Sequence, residues 1–250
     1  LDYVAGMNAG TNPNYGYTDW TLPNVNQLDS LVDSEKQGPA LSTGHPFINV
    51  QPGNFYYWSS TTSASSSFSA WTVSIWNGQF IAQSGKTQSA AFVLWPVRSI
   101  GDGTVQLPKT GQTTSYAGGD DGSVQSGATW PSPRFADNGN GTVIDNLTGL
   151  VWMKSANPTV TTVNWQQALD YVSNMNTGTN PNLGYTDWRL PNKNEIRSIM
   201  DYGQSTPALP IANPFVTVQS SYWTSTTYTG STTSALYTWA TDGSLTINDK

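Results

Sequence analysis

Apolar positions along the chain change period as they go, and the changes mark out elements. Trp165, Ala168, Leu169, Val172 and Met175 recur at helical spacing on one face. Asn164 stands before them with Gln167 at the third position, a capping-box spacing, and Asn176–Gly178 predicts the stop. A second, shorter helix is predicted after Pro191, which keeps Leu190 out of helical backbone. Asn192 caps it, Glu195 answers three residues later, and Ile196, Ile199 and Met200 face inward. Elsewhere the spacing is that of strands. "GTVIDNLTGLVW" (Gly141–Trp152) predicts a β-hairpin, and "FYYWSSTT" and "SYWTSTTY" carry the aromatic and β-branched residues that strands favour. "AWTVSIWNGQFIAQ" predicts a hairpin turning at Asn77-Gly78, with Asp242-Gly243 in the same role later. "AAFVLWPVRS" is nearly all apolar, which predicts a central strand covered on both sides.

Much of this pattern occurs twice. "LDYVAGMNAGTNPNYGYTDWTLPN" (Leu1–Asn24) returns as "LDYVSNMNTGTNPNLGYTDWRLPN" (Leu169–Asn192), a shift of 168 positions that persists to Gln51 and Gln219. Three extra residues in the first copy then change the shift to 165, pairing Trp58 with Trp223 and Gly78 with Gly243. A period this long means tandem domains, since solenoid repeats run about 20–50 residues. Trp20, Pro23, Asn24 and Trp58 in the first copy, and Trp188, Pro191, Asn192, Glu195 and Trp223 in the second, are the expected structural motif. Neither copy is whole within these residues. Lys250 aligns with Gly85, so the second has no counterpart of "KTQSAAFVLWPVRSI" (Lys86–Ile100), and the first has none of Asp137–Ala168. Flanking sequence, removal, or supply by another chain would each account for the missing segments. The expected domains are residues 1–100, a first module without its amino-terminal hairpin and helix start, and 134–250, a second without its closing strand. Residues 101–133, rich in Gly, Ser and Thr, read as a linker or irregular loop. The fold class expected is α+β, each module two helices packed on a small twisted antiparallel sheet.

Composition narrows the functional classes. Among 250 residues 12% are aromatic but only 10% charged, well under the roughly 25% of an average soluble domain. A formal charge of −6 excludes nucleic acid and disfavours polyanions, because phosphate and sulfate contacts need clustered Lys and Arg. The longest basic cluster, Arg189, Lys193 and Arg197, is interrupted by Asp187 and Glu195 and predicts a solvated helix face. With no cysteine there are no disulfides, thiol catalysis or Cys-based zinc sites. No stretch approaches the ~18 apolar residues of a membrane span.

The motifs "WRLPNKNE", "YWTSTT", "VLWPVR", "LPKTGQTTSYAGGDDG" and "DNGNGTVIDNLTGLVW", in that combination, resemble the bacterial Lcl C-terminal domain family, named for the carboxyl domain of a collagen-like adhesin. The resemblance covers almost the whole chain. It implies tandem modules of C-type lectin-like fold, an exported protein at the bacterial surface, and roles in adhesion and matrix binding, with no catalytic residue set. The acidic composition departs from the basic surface that a sulfated-glycan ligand would favour, so that ligand is not carried over.

Candidate chemistry is sparse. His45 is the single histidine, lies next to proline in "STGHPF", and is Asn213 in the second copy, so a turn role is expected. Asp19 and Asp187 precede a Trp and are expected to accept backbone N–H bonds. The turns "GGDDGS" and "DNGNGT" raise calcium, yet neither shows the D-x-[DN]-x-[DN]-G run with a downstream Glu, and tight turns explain them equally. No cofactor or metal site and no enzyme are expected. Strand alternation buries Trp71, Val73 and Ile75 with Trp76 on the other face beside Asn77, and buries Leu236, Thr238 and Ala240 with Tyr237 and Trp239 outward. Trp76, Asn77, Tyr237 and Trp239 are therefore the candidate ligand or interface residues, suited to sugar stacking or a protein partner. The expected function is adhesion by a non-enzymatic surface or matrix protein; the alternative is a structural subunit of an extracellular fibre whose modules are completed between chains. Expected partners are other copies of the chain or a surface glycan or protein.

Overall fold

The structure, a computed structural model, describes residues 1–53, 55–78, 80–88, 92–99, 103 and 105–250. Two compact units divide the chain: unit 1 holds Leu1–Thr129 with Asp201–Ser205, and unit 2 holds Trp130–Met200 with Thr206–Lys250. Both are mixed α+β.

Unit 1 opens with helices α1 (Asp2–Asn8) and α2 (Val25–Asp29). The Asn24–Gln27 spacing, which repeats that of Asn192 with Glu195, forms a capping box: Asn24 accepts from the Gln27 backbone N–H and the Gln27 side chain accepts from Asn24 N–H. Strands β1 (Tyr56–Ser63), β2 (Ser66–Val73) and β3 (Phe80–Gly85) follow as an antiparallel meander, and β4 (Phe92–Val93) pairs parallel to the outer edge of β1. This corrects the expectation of a central strand in "AAFVLWPVRS". β4 is two residues long, sits at the edge, and its described residues are half-buried or exposed, because Pro96 has no N–H to continue a ladder. Ser89, Ala90, Ala91 and Ile100 lie outside the described residues.

Residues 105–129, including the short helix α3 (Asp121–Val124), form an irregular loop packed into unit 1. Gln112 bonds the backbone of Thr62 on both sides, Nε2 to O at 2.7 Å and N to Oε1 at 2.9 Å. The buried Asp121 carboxylate accepts from Thr61 and Thr110 hydroxyls at 2.7 and 2.6 Å. Gly122 permits this approach, since a Cβ there would stand 2.0 Å from the Thr114 carbonyl oxygen. The core gathers Val25, Leu28, Val73, Ile75 and Trp71, with Tyr202 edge-on to Trp71 at 5.1 Å.

Unit 2 begins with β5 (Phe135–Asp137), β6 (Thr142–Asp145) and β7 (Val151–Met153), a three-stranded antiparallel sheet containing the predicted hairpin. Its turn is tied by the buried Asp145, which accepts from Leu147 N–H and the Thr148 hydroxyl. Helices α4 (Trp165–Asn176) and α5 (Lys193–Ser198) carry the two predicted capping boxes, Asn164 with Gln167 and Asn192 with Glu195. Strands β8 (Ser221–Thr227), β9 (Ser234–Trp239) and β10 (Leu245–Asp249) form a second antiparallel meander. The basic cluster differs from its predicted solvated face. Lys193 and Arg197 are buried, while Arg189 is exposed and ion-paired to Glu195. Long aliphatic stems let such residues cover apolar surface.

The same local devices recur in both units. Ser60 N–H donates to Pro23 O at 2.8 Å and Ser225 N–H to Pro191 O at 2.9 Å, which docks each Leu-Pro-Asn corner on its strand. Asn8 and Asn176 each bracket the backbone of the following Trp, Trp20 and Trp188, with two bonds of 2.8 Å. Each of those indoles donates to a loop carbonyl, of Asn14 or Asn182.

Candidate functional site

Unit 2 contains a cleft of about 910 Å³, within the size range of small-ligand pockets. Helix α4 contributes Ala168, Val172 and Met175 from the face that the 3.6-residue period marked as apolar, and Tyr171 beside them. Opposite stand Tyr222 and Trp223 of β8 with Tyr237 and Trp239 of β9, while β7 adds Trp152.

Strand pairing assembles the aromatic wall. Trp223 lies opposite Tyr237 in the β8–β9 ladder, and their rings meet edge-on at 5.7 Å. Tyr237 and Trp239, two residues apart and so on one face, meet at 5.5 Å. The alternate residues Leu236, Thr238 and Ala240 are buried, as the period-2 pattern predicts. Backbone acceptors hold the indoles: Trp223 Nε1 donates to Val163 O at 3.0 Å and Trp165 Nε1 to Thr224 O at 2.8 Å. Tyr222 is anchored by Gln219 N–H, and burial pushes its hydroxyl above the ordinary tyrosine value.

At the other rim Glu195 pairs with Arg189 through both carboxylate oxygens and also accepts Asn192 N–H at 2.9 Å. The guanidinium bond, above all, holds the Glu195 carboxyl below its ordinary range despite burial acting the other way. Asp187 lines the same rim, is exposed, and makes no hydrogen bond or ion pair among the described residues. Asp19 binds Arg98 through both oxygens at 2.8 and 3.1 Å and also takes a bond from its own backbone N–H, so the expectation of a backbone partner is met there and corrected at Asp187. Asn8 and Asn176 satisfy the neighbouring backbone instead.

The predicted candidates thus separate. Tyr237 and Trp239 share the cleft with Trp223, Trp188 and Pro191. Trp76 and Asn77 belong to unit 1, where the half-buried Trp76 ring covers Gly38 and its carbonyl accepts Gly38 N–H at 2.9 Å. His45 stacks beside Phe47 at 5.9 Å in the turn predicted for it. Of the turns that raised calcium, Asp120 accepts backbone N–H of Tyr116, Ala117 and Ser123, and Asp137 pairs with Lys154 at 2.6 Å. No group of three or more His, Asp or Glu side chains gathers among the described residues. Sequence reasoning missed Tyr185, Asp187, Arg189, Phe215 and Tyr222 as cleft residues. The repeat register aligns them with Tyr17, Asp19, Thr21, Phe47 and Tyr57, whose contacts with Phe92–Arg98 only the structure reveals.

A family model described as the Lcl C-terminal domain matches residues 1–98 and again 141–250. No curated protein and no solved structure matches the chain. No helix among the described residues is long and apolar enough to cross a membrane.

Proposed function

Because the chain belongs to the Lcl C-terminal domain family, a surface-associated domain of adhesin type, we propose that it is an exported, non-enzymatic protein of the bacterial surface or matrix that adheres through the aromatic cleft of unit 2. The observation that carries this reading is the chain of rings Trp223–Tyr237–Trp239 along one wall, with Trp239 still 37% exposed. Such a wall offers large apolar area at little entropic cost, to a sugar ring or to a protein surface. The polar groups of the rim also support binding over catalysis. Glu195 is engaged by Arg189 and by its own helix cap, and its depressed pKa makes it a weak base.

The test is binding of the intact chain to immobilised extracellular polysaccharides and proteins, compared with a Tyr237→Ala/Trp239→Ala variant. A loss of about tenfold or more is expected from removing two anchor aromatics. Equal binding by variant and parent would sink the reading. A second reading, a subunit of an extracellular fibre, is favoured by one specific feature: β8 has no strand on its outer side within unit 2, and such edges recruit strands from other chains. Negative-stain electron microscopy of the native material distinguishes the two, with filaments of regular axial repeat expected only for the fibre.

A further inference from the structure

In an Asn-Gly pair the asparagine side chain lies open to attack by the next backbone nitrogen, because glycine has no Cβ to hinder the approach. The chain contains three such pairs, Asn77-Gly78, Asn138-Gly139 and Asn140-Gly141. The attack requires the glycine N–H to give up its proton and its nitrogen to reach the asparagine Cγ. Any hydrogen bond from that N–H must first break, so the partner of each glycine N–H ranks the three. Gly78 is buried in its hairpin turn, where its N–H donates to Ser74 O at 2.9 Å and a Cβ would stand 2.6 Å from Val32. Gly139 N–H donates to the Asp137 carboxylate at 3.0 Å. That carboxylate also opposes the negative charge that builds on the nitrogen as its proton leaves.

Gly141 differs from both. Its carbonyl accepts Lys154 N–H at 2.9 Å, but its own N–H makes no hydrogen bond among the described residues. The electrophile beside it is prepared as well. Asn140 is exposed, and its Oδ1 accepts from Thr142 N–H at 3.1 Å and from the Thr142 hydroxyl at 2.6 Å. Thr142 is 0% exposed, and Asn138 Nδ2 donates to its hydroxyl oxygen at 2.9 Å, which leaves the hydroxyl proton aimed at Asn140 Oδ1. Two donors on a carbonyl oxygen stabilise the oxyanion that forms when its carbon is attacked. Asn140 thus combines a free nucleophile with a polarised carboxamide, and the other two pairs have their nucleophile tied.

We propose that Asn140 is a self-modifying site of the folded protein, closing with Gly141 to a succinimide that water opens to isoaspartate or aspartate. In the first step the Gly141 nitrogen bonds to Asn140 Cγ while its proton passes to hydroxide. The Cγ–Nδ2 bond breaks, and Nδ2 takes a proton from water and leaves as ammonia, which regenerates the hydroxide. Water then adds to one of the two imide carbonyls. Opening at Cγ gives aspartate, and opening at the main-chain carbonyl gives isoaspartate, with the backbone rerouted through the side chain. Either product puts a carboxylate in the turn between β5 and β6, close in sequence to Asp137. Isoaspartate also lengthens the backbone by one methylene and withdraws the oxygen that Thr142 holds, so the turn loses two of its anchoring bonds.

The test is incubation of the 250-residue chain at mildly alkaline pH, once folded and once in urea, followed by peptide mapping with fragmentation that distinguishes isoaspartate from aspartate. In the folded chain Asn140 should convert about tenfold faster than Asn138 or Asn77, the factor that one hydrogen bond with a net worth of about 1.4 kcal/mol imposes. In urea the lead of Asn140 over Asn138 should vanish, because unfolding frees both glycine N–H groups. Asp137→Ala removes the acceptor of Gly139 N–H from an exposed position and should speed Asn138 by about tenfold in the folded chain, with the Asn140 rate little changed. Conversion of Asn138 or Asn77 ahead of Asn140 in the folded chain overturns the proposal. So does a lead of Asn140 that persists undiminished in urea, which makes it a property of neighbouring sequence and not of the fold. An Asn138 rate unmoved by Asp137→Ala overturns it too, since the bonding of the glycine N–H would then not set the order.

Discussion

Asp19 and Asp187 occupy the same place in the same repeated sentence, followed by the same Trp. In unit 1 the carboxylate is clasped by Arg98, whose guanidinium also covers Tyr17. In unit 2 the matching aspartate meets no cation among the described residues, and the matching tyrosine lines the cleft. The local backbone is alike in both: the Asn bracket, the indole bond to the loop and the docked Leu-Pro-Asn corner are duplicated nearly distance for distance. What differs among the described residues is the contact with a segment remote in sequence. Local signals build the corner twice, and in unit 1 the non-local segment Phe92–Arg98 covers it.

The largest effect that separates the two units should come from their cores. Trp71→Ala removes a side chain 1% exposed and its edge contact with Tyr202, and should cost unit 1 about 3–5 kcal/mol. The aligned Leu236→Ala, 5% exposed, should cost unit 2 about 2–5 kcal/mol. Urea unfolding followed by hydrogen exchange in each unit measures both, and a loss confined to the substituted unit shows that the cores are energetically separate. Equal losses in both units would break the comparison.

The helix caps offer a finer contrast. Asn192→Ala should destabilise by about 1 kcal/mol, the ordinary value of an Asn cap. Asn24→Ala should cost more, about 2 kcal/mol, because Asn24 is 2% exposed and its amide also donates to Ser126 O at 3.1 Å. The same unfolding experiment ranks them.

A pH contrast follows from two aspartates of unit 1. Burial, acting against the hydroxyl bonds of Thr110 and Thr61, raises the Asp121 pKa above its ordinary value. A raised carboxyl favours the folded state most when protonated, so its contribution is fully present below the unfolded pKa and is lost as pH rises through the folded one. Asp121→Asn should therefore flatten the decline in unit 1 stability as pH rises through and above the ordinary carboxylate range. Asp19 has the opposite sign. The hydrogen bond from Arg98 lowers its pKa, so its contribution is present above the ordinary carboxylate value and is lost as pH falls through the depressed one. Being exposed, it should have the smallest effect, visible as an upward move of the Asp19 carboxyl titration by NMR in Arg98→Ala and shrinking with added salt.

How much was legible in the sequence follows the range of the interactions. The capping boxes at Asn24, Asn164 and Asn192, the hairpin turns at Asn77-Gly78 and Asp242-Gly243, and the outward parity of Tyr237 and Trp239 each depend on residues within a few positions of one another. The sequence by itself determined these, together with the duplication. Only the tertiary structure decided that Phe92–Arg98 runs along a strand edge and not through a sheet centre, that Lys193 and Arg197 are buried, and that Asp19 finds a cation from 79 residues away. Apolar content reports that a segment is covered but not by which neighbours, and a charge run reports what repels water least but not where a stem can fold. The cleft is the same case. Its rings come from one helix, three strands and the loops between them, and no short stretch of chain encodes the space they enclose.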